Sequence, residues 1–432
     1  MRFRTVRSLH TLPWLAWLTF NSTPAAGQDM ARVRQTIGTL AAPAMHGRGY
    51  VRQGDQQAAR YLRKRFQDLG LQPLAPAYSQ PFTLPVNTFP GQLSLQCGSV
   101  RLKPGVDFIA EPASGGGSLT TLALPLDTLA FTDEAVKQQF LNQPLQDRVV
   151  VLHQRNLARL QRFPDLARHL DEARTRITLV DNKLTASIAQ EQASQIRLQV
   201  LASKWPASEK AHVQLKVEAK LQPAYTTRNL IGYVCGRVQP DSFLVITAHY
   251  DHLGQMGRRA YFPGANDNAS GTAMLLELAA HYSLPANRPA YSVVFILFGA
   301  EEAGLLGSQY FTEHPLFPLT RIRFLVNLDL LGTGEEGLTV VNGRLLEPTF
   351  QRLTQLNDTG HFVPQLAARG RAANSDHFPF SERGVPAFFF YTRGGITAYH
   401  DIYDRAETLP LTAFTGVFQL LTAFLASFGP EK

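Results

Sequence analysis

Cysteine is nearly missing from this chain: only Cys97 and Cys235 occur in 432 residues. With no CxxC pair and no Cys/His cluster, a thiolate zinc site is excluded. One disulfide is the most that two cysteines allow, and spacing alone does not pair them. Neither stands among the ionisable residues that matter below, so both read as structural. Also missing is a dense Lys/Arg stripe interleaved with aromatics, which excludes a nucleic-acid footprint. The formal charge of +8 falls to +5 once Arg2, Arg4 and Arg7 are set aside with the N-terminal segment, a mild excess that serves solubility. No internal repeat or low-complexity tract occurs, and beyond the N-terminus no apolar run is long enough to span a bilayer. The 44% apolar content is ordinary for a globular chain and argues against general disorder.

What is present is organised in blocks. A basic start leads into Leu12-Pro13-Trp14-Leu15-Ala16-Trp17-Leu18, and small residues follow at Ala25-Ala26-Gly27. That layout predicts a secretory signal over 1–27, hence export to a periplasm or the extracellular space. Gly54 to Gly70 predicts an amphipathic helix with Ala58, Ala59, Leu62, Phe66 and Leu69 on one stripe and a glycine where a C-cap belongs. The length calls for two domains, or one with an insertion. We assign 28–101 to the N-terminal part of the main domain, 102–223 to an inserted smaller α+β domain or elaborated loop region, and 224–432 to the main body. Within the insertion Val149-Val150-Val151-Leu152 reads as a strand, and Asn156 to Arg176 as one charged helical stretch. Alternating segments surround Ile196 to Leu201 and Val213 to Leu221.

From Asn229 onward the pattern becomes regular. Phe243 to Ala248, Ser292 to Phe298, Arg323 to Leu328 and Ala387 to Tyr391 are uninterrupted apolar strands, which implies burial on both faces. Helices fit between and after them at Ser270 to Tyr282, Leu305 to Phe311 and Leu411 to Phe428. The expected fold is α/β, a three-layer αβα sandwich around a mixed, largely parallel sheet. In such sheets ligands bind beyond the carboxyl ends of the strands. His249 follows the first strand, Glu301 and Glu302 the second, Asp329 closes the third and His400 lies after the fourth. Asp267 stands in the Gly-rich loop opening the helix near Ser270. Imidazoles and carboxylates gathered on one sheet edge suit two divalent ions, so the chain reads as a metal-dependent hydrolase.

The segments HYDHLG, GANDNASG, FGAEEAGLLGS, NLDLLG, SDHFPF and YHDIYD resemble the secreted dizinc aminopeptidase family, relatives of bacterial leucyl aminopeptidases. The resemblance runs from about Asn229 to the C-terminus and extends weakly to Met45-His46-Gly47-Arg48-Gly49. It implies that Asp267 bridges two zinc ions, with Glu302 and His400 completing one site and His249 and Asp329 the other. Asp251 is then a partner steering the His249 imidazole, and Glu301 is the general base. Nitrogen and oxygen ligands fit zinc, with manganese or cobalt as substitutes. The implied substrate is a peptide with a free N-terminus.

Other residues have two readings. Ser375 or Asp376 fits a helix N-cap, and Asp376 and His377 stand equally well near the site. Tyr399 reads as an oxyanion donor or as packing, and Arg393 as a substrate-carboxylate contact or a solvated loop residue. His252, His281 and His314 read as surface or packing. Among other functions, a glutaminyl cyclase uses a related fold with one metal, but GANDNASG and NLDLLG resemble the hydrolase version. A glutamate-type carboxypeptidase needs basic groups for a C-terminal carboxylate, for which Arg393 and Arg258-Arg259 are the candidates. A catalytically inactive receptor-like module is disfavoured by the complete set of ligands and base.

Overall fold

The computed structural model describes residues 28–206 and 211–429. The signal segment expected over 1–27 lies outside them. A nine-stranded sheet organises the chain, with spatial order Gln72–Pro73, Lys220–Val234, Tyr291–Phe298, Gln239–His249, Ile322–Leu328, Ala387–Thr392, Leu338–Val341, Leu366–Ala368, and Ser79–Thr88 paired to Lys220–Val234. The four central strands, Tyr291–Phe298 through Ala387–Thr392, are parallel, and antiparallel partners flank them on both sides. Every residue of Tyr291–Phe298 is buried. This follows from its sequence, since an apolar side chain on both faces of the pleat needs cover on both.

That cover comes from two helical layers. On one face Val33, Leu62, Met274 and Phe414, from the helices Met30–Leu40, Gly54–Asp68, Gly271–Ser283 and Phe414–Ala426, join one core with Phe295 and Leu297. On the other face Phe311 and Phe380 pack with Phe298, Val294 and Ile296. The three-layer α/β sandwich is therefore as expected. The helix Gly54–Asp68 buries Ala58, Ala59, Leu62 and Phe66 as its spacing predicts. Gly70, at φ +68°, reverses the chain so that the Leu71 amide reaches the Phe66 carbonyl at 3.1 Å.

A second sheet of eight strands takes residues between Leu93 and Val217. Its centre is parallel, running Gly117–Pro125, Val149–His153, Thr175–Val180, Ile196–Leu201. The single helix expected from Asn156 to Arg176 is instead two short helices, Gln154–Leu160 and Pro164–Asp171, followed by the strand Thr175–Val180. Pro164 explains the break, because proline has no amide to donate and is accepted only in a first turn. The strand begins at the last two residues of that stretch and pairs on both edges. This sheet does not close its core alone. Leu253, Met256, Ala260 and Phe262, from the loop between His249 and Asp267, pack with Leu95, Phe108, Ile177 and Leu198. Cys97 is buried there, Cys235 is half-buried, and both are free thiols. None of the described helices is long and apolar enough to cross a membrane.

Phe311 touches the rings of Phe298, Phe317 and Phe380 and is fully buried. Phe311→Ala is expected to lower folding stability by about 3–5 kcal/mol. A denaturant titration would show this as a reduced midpoint at unchanged slope.

Candidate metal centre

The carboxyl ends of the four central strands converge as the sequence suggests. His249 is the last residue of its strand, and its Nε2 lies 3.4 Å from Asp267 Oδ1 and 3.4 Å from Asp329 Oδ2. Glu301 Oε2 is 3.9 Å from the same nitrogen. On the other side His400 Nε2 lies 3.1 Å from Asp267 Oδ2 and 3.2 Å from Glu302 Oε2. The two oxygens of Asp267 thus face two different imidazoles, each accompanied by a second carboxylate. All the residues singled out as ligands or base from sequence meet in one place.

Two neighbours were misjudged or overlooked. His252 is not a surface or packing residue: it is fully buried, with Nδ1 2.7 Å from Glu302 Oε1. Ligand-type atoms of His252, Asp267 and Glu302 cluster within 4.8 Å, as do those of His249, Glu301 and Asp329. We place His252 behind Glu302 rather than in front of it. Its Nδ1 is spent on Oε1, whereas the His400 nitrogen faces Glu302 and Asp267 together. Asp251 also differs in detail. Its carboxylate is 3.8 Å from His249 Nδ1, while it accepts the backbone amides of Glu301 at 3.1 Å and Glu302 at 3.4 Å. Asp251 therefore holds the turn that carries both glutamates.

The loop bearing Asp267 is gripped from two sides. Asp404 accepts the amides of Asn266 and Asp267 at 2.8 and 2.9 Å. Asn268 donates to the Leu328 carbonyl and accepts from Gly271. From the opposite side the fully buried Arg48 donates to the carbonyls of Tyr250, Leu40, Pro263, Gly264 and Asp267 at 2.7–3.1 Å. Five N–H groups meet five carbonyls, the whole donor capacity of a guanidinium. Burial lowers its pKa to about 10, so it stays charged near neutrality. The backbone must come close for this to work. A Cβ on Gly49 would stand 2.4 Å from Gly254 Cα, which excludes a side chain there.

Charge is the dominant property of the site. Asp251, Asp267, Glu301, Glu302, Asp329 and Asp376 are all near one another and mostly dehydrated. Burial pushes Asp251 and Asp376 up to about 7 and raises Glu301 well above its ordinary range. Glu302 moves the other way, to about 2: burial opposes ionisation, but His400 and His252 outweigh it. His400 rises to about 11, because the pull of Glu302 and Asp267 exceeds the effect of burial. Buried carboxylates at such density need compensating cations. Arg48 spends its donors on carbonyls, and no lysine or other arginine reaches these carboxylates among the described ion pairs. Two dications sharing Asp267 fit the donor set: oxygen and imidazole only, in two groups.

A cavity of about 490 Å³ opens over the centre, lined among others by Ser187, Leu305, Leu330, Arg369, Phe389 and Tyr399. Tyr399 stacks on His400 with centroids 4.0 Å apart and also borders the cavity. The cavity's basic side chain is Arg369; Arg393 instead donates to Glu336 and Gln365, and Arg258-Arg259 do not line it. Asp376 makes no cap bond to the helix His377–Ser381, and its oxygens have no hydrogen-bond partner among the described residues. Ser375 bonds Asp329 at 3.3 Å, so this segment does reach the site. His281 packs against Tyr282 and Phe418, and His314 stacks on Tyr310, as expected of packing residues.

Residues 229–425 match the model of peptidase family M28. Aminopeptidase YwaD of Bacillus subtilis (strain 168) is 31% identical over 211 residues, which is 46% of this chain and 44% of the relative. Leupeptin-inactivating enzyme 1 of Streptomyces exfoliatus is 31% identical over 148 residues, 34% of this chain and 32% of that protein. The chain thus spans less than half the length of these curated relatives. BSAP, a zinc aminopeptidase from Bacillus subtilis, superimposes over 92% of this chain and 94% of its own with a TM-score of 0.66 at 20% identity. At that identity the likeness is one of fold, and it extends across both sheets.

Two outcomes test this geometry. Arg48→Lys keeps the charge but cannot span five carbonyls. It should cost about 3 kcal/mol or more of stability, measured by thermal denaturation, and a wild-type melting temperature would refute the grip. Metal uptake requires neutral imidazoles, yet metal-free His400 keeps its proton up to about pH 11. Binding should therefore release protons, and affinity should fall about tenfold for each unit the pH is lowered, per proton displaced. Calorimetry in two buffers of different ionisation heat measures the number released.

Proposed function

We infer from the match of residues 229–425 to the model of peptidase family M28 that the chain is a zinc-dependent exopeptidase, an aminopeptidase acting on peptides with a free N-terminus. The observation that carries this reading is the division of Asp267, one oxygen toward His249 and Asp329 and the other toward His400 and Glu302. Asp267 would be shared by two zinc ions, with His249 and Asp329 holding one and His400 and Glu302 the other. Manganese or cobalt suits the same donors. Paired ions of this kind activate water and stabilise charge developing on the scissile carbonyl oxygen.

The chain's own residues do the rest. Glu301, coordinating neither ion, accepts a proton from the attacking water and delivers it to the departing amine. Its place in the cavity wall beside His249 supports that role. Asp251 fixes the Glu301-Glu302 turn through two backbone amides, so base and ligand are aimed by one carboxylate. His252 holds one oxygen of Glu302, leaving the other directed at His400. Export, as the N-terminal pattern suggests, belongs to the same proposal.

One observation favours a second reading. Arg369 borders the cavity, half a recognition site for a carboxylate, and a carboxypeptidase would use it. A panel of free, N-acetylated, C-amidated and N-terminal-Gln peptides separates the possibilities. Cleavage confined to free N-termini and indifferent to C-amidation supports the aminopeptidase; release from the C-terminal end of acetylated peptides would sink it, and cyclisation of Gln would point to a cyclase. Glu301→Gln should keep about two equivalents of zinc while turnover falls by roughly 10²–10⁴. Undiminished turnover in that variant would remove Glu301 from the mechanism.

A further inference from the structure

Between the strands Thr175–Val180 and Ile196–Leu201 the chain leaves the second sheet, and residues 183–190 run irregularly along the metal centre. The Ala186 amide donates to the His400 carbonyl at 3.0 Å, and His400 Nδ1 lies 3.0 Å from the Ala186 carbonyl oxygen. Lys183 Nζ sits 2.9 Å from Asp401 Oδ2 and donates to the Thr397 carbonyl at 3.1 Å. Gln190 donates to the Ala303 carbonyl at 2.9 Å, next to Glu302. Meanwhile Leu184 and Ala186 stay buried in the core of the second sheet. The strap is thus rooted in one lobe and bonded to the other.

Its chemistry acts on one ligand. A carbonyl oxygen only accepts, so the Nδ1 facing it carries the proton, and a neutral ring then leaves Nε2 bare toward Asp267 and Glu302. His400 also sits at φ +53°, a left-handed conformation unfavourable for a residue with a Cβ. The Ala186 amide, bound to the His400 carbonyl, helps hold it there. His249 has no such contact; its Nδ1 faces the Asp251 carbonyl of its own chain segment at 3.3 Å.

We propose that residues 183–190 are a positioning strap for the metal centre, fixing rotamer and tautomer of His400 and so setting the affinity of the metal position it shares with Glu302. This rests on the zinc-peptidase reading, but its consequence is asymmetric: the strap bonds directly to a ligand of one metal position and to none that belongs to the other alone.

The test reads metal binding and backbone protection, not turnover. Lys183→Ala and, separately, Ala186→Pro in the full chain should release one zinc equivalent to a competing chelator about 10- to 100-fold more readily. The second equivalent should keep wild-type affinity, and Lys183→Arg should restore the first. Both equivalents unchanged, or both weakened alike, in variants with native circular dichroism would overturn the strap. Linkage supplies a measurement on unmodified protein, since a strap that favours metal must be favoured by it. Hydrogen exchange across 183–190 should slow on zinc loading of the metal-free protein; exchange indifferent to zinc counts against the proposal. A wild-type chain that takes up no zinc would instead overturn the peptidase reading and the strap together.

Discussion

Arg48, fully buried, gives all five of its donors to carbonyls while the nearby carboxylates of Asp267 and Asp404 favour its charge, and it does so where the loops carrying the candidate ligands meet. Its five acceptors come from the end of the first helix, the residue after His249, and the loop leading to Asp267. Asp404 performs the opposite service, taking two amides of the same loop with its carboxylate. Peptide groups near Asp267 therefore have a cation on their oxygen side and an anion on their nitrogen side. Without that pair the Asp267 carboxylate would sit on a loop with little regular hydrogen bonding. With it, each Asp267 oxygen can be directed at a different imidazole.

The rest of the site follows from where parallel strands stop. Four buried strands deliver His249, the Glu301-Glu302 turn, Asp329 and the approach to His400 to one edge, and side chains at that edge point into a common cavity. Concentrating carboxylates there is unfavourable in a dehydrated protein unless cations join them. The fold accepts local backbone strain to do it: Ala300, Leu330 and His400, each adjacent to or among the candidate ligands, all have φ between 53° and 60°. Such strain persists only where surrounding structure over-determines it. Here that structure is the Asp251 carboxylate, the sheet edge, and the strap from the second lobe.

The strands and most of the site were legible because their signals are local. A strand buried on both faces has to be apolar throughout, and a ligand at its end follows within a few residues. Asp267 was readable from its glycine-rich loop opening a helix. What escaped reading depends on contacts between distant segments. Arg48 is separated by about 200 residues from most of the carbonyls it binds, and Ala186 by 214 from His400. His252 stood inside a recognised segment, but no spacing rule distinguishes it from a loop histidine; only the fold turns it toward Glu302. The charged stretch from Asn156 to Arg176 differs from one helix for another reason: Pro164 opens a second helix, and the β-branched run beginning at Thr175 starts a strand that pairs on both edges.

Leu253, Met256, Ala260 and Phe262 belong by sequence to the segment between two candidate ligands, yet they complete the interior of the second sheet. An isolated first lobe would present these four apolar residues to water within the stretch that separates His249 from Asp267. Trimming the chain to its recognisable half would thus create an adhesive surface and loosen the ligand loop in one cut. The two lobes are modules in topology but not in thermodynamics, and a chimera that exchanged the second sheet would have to carry 253–262 with it.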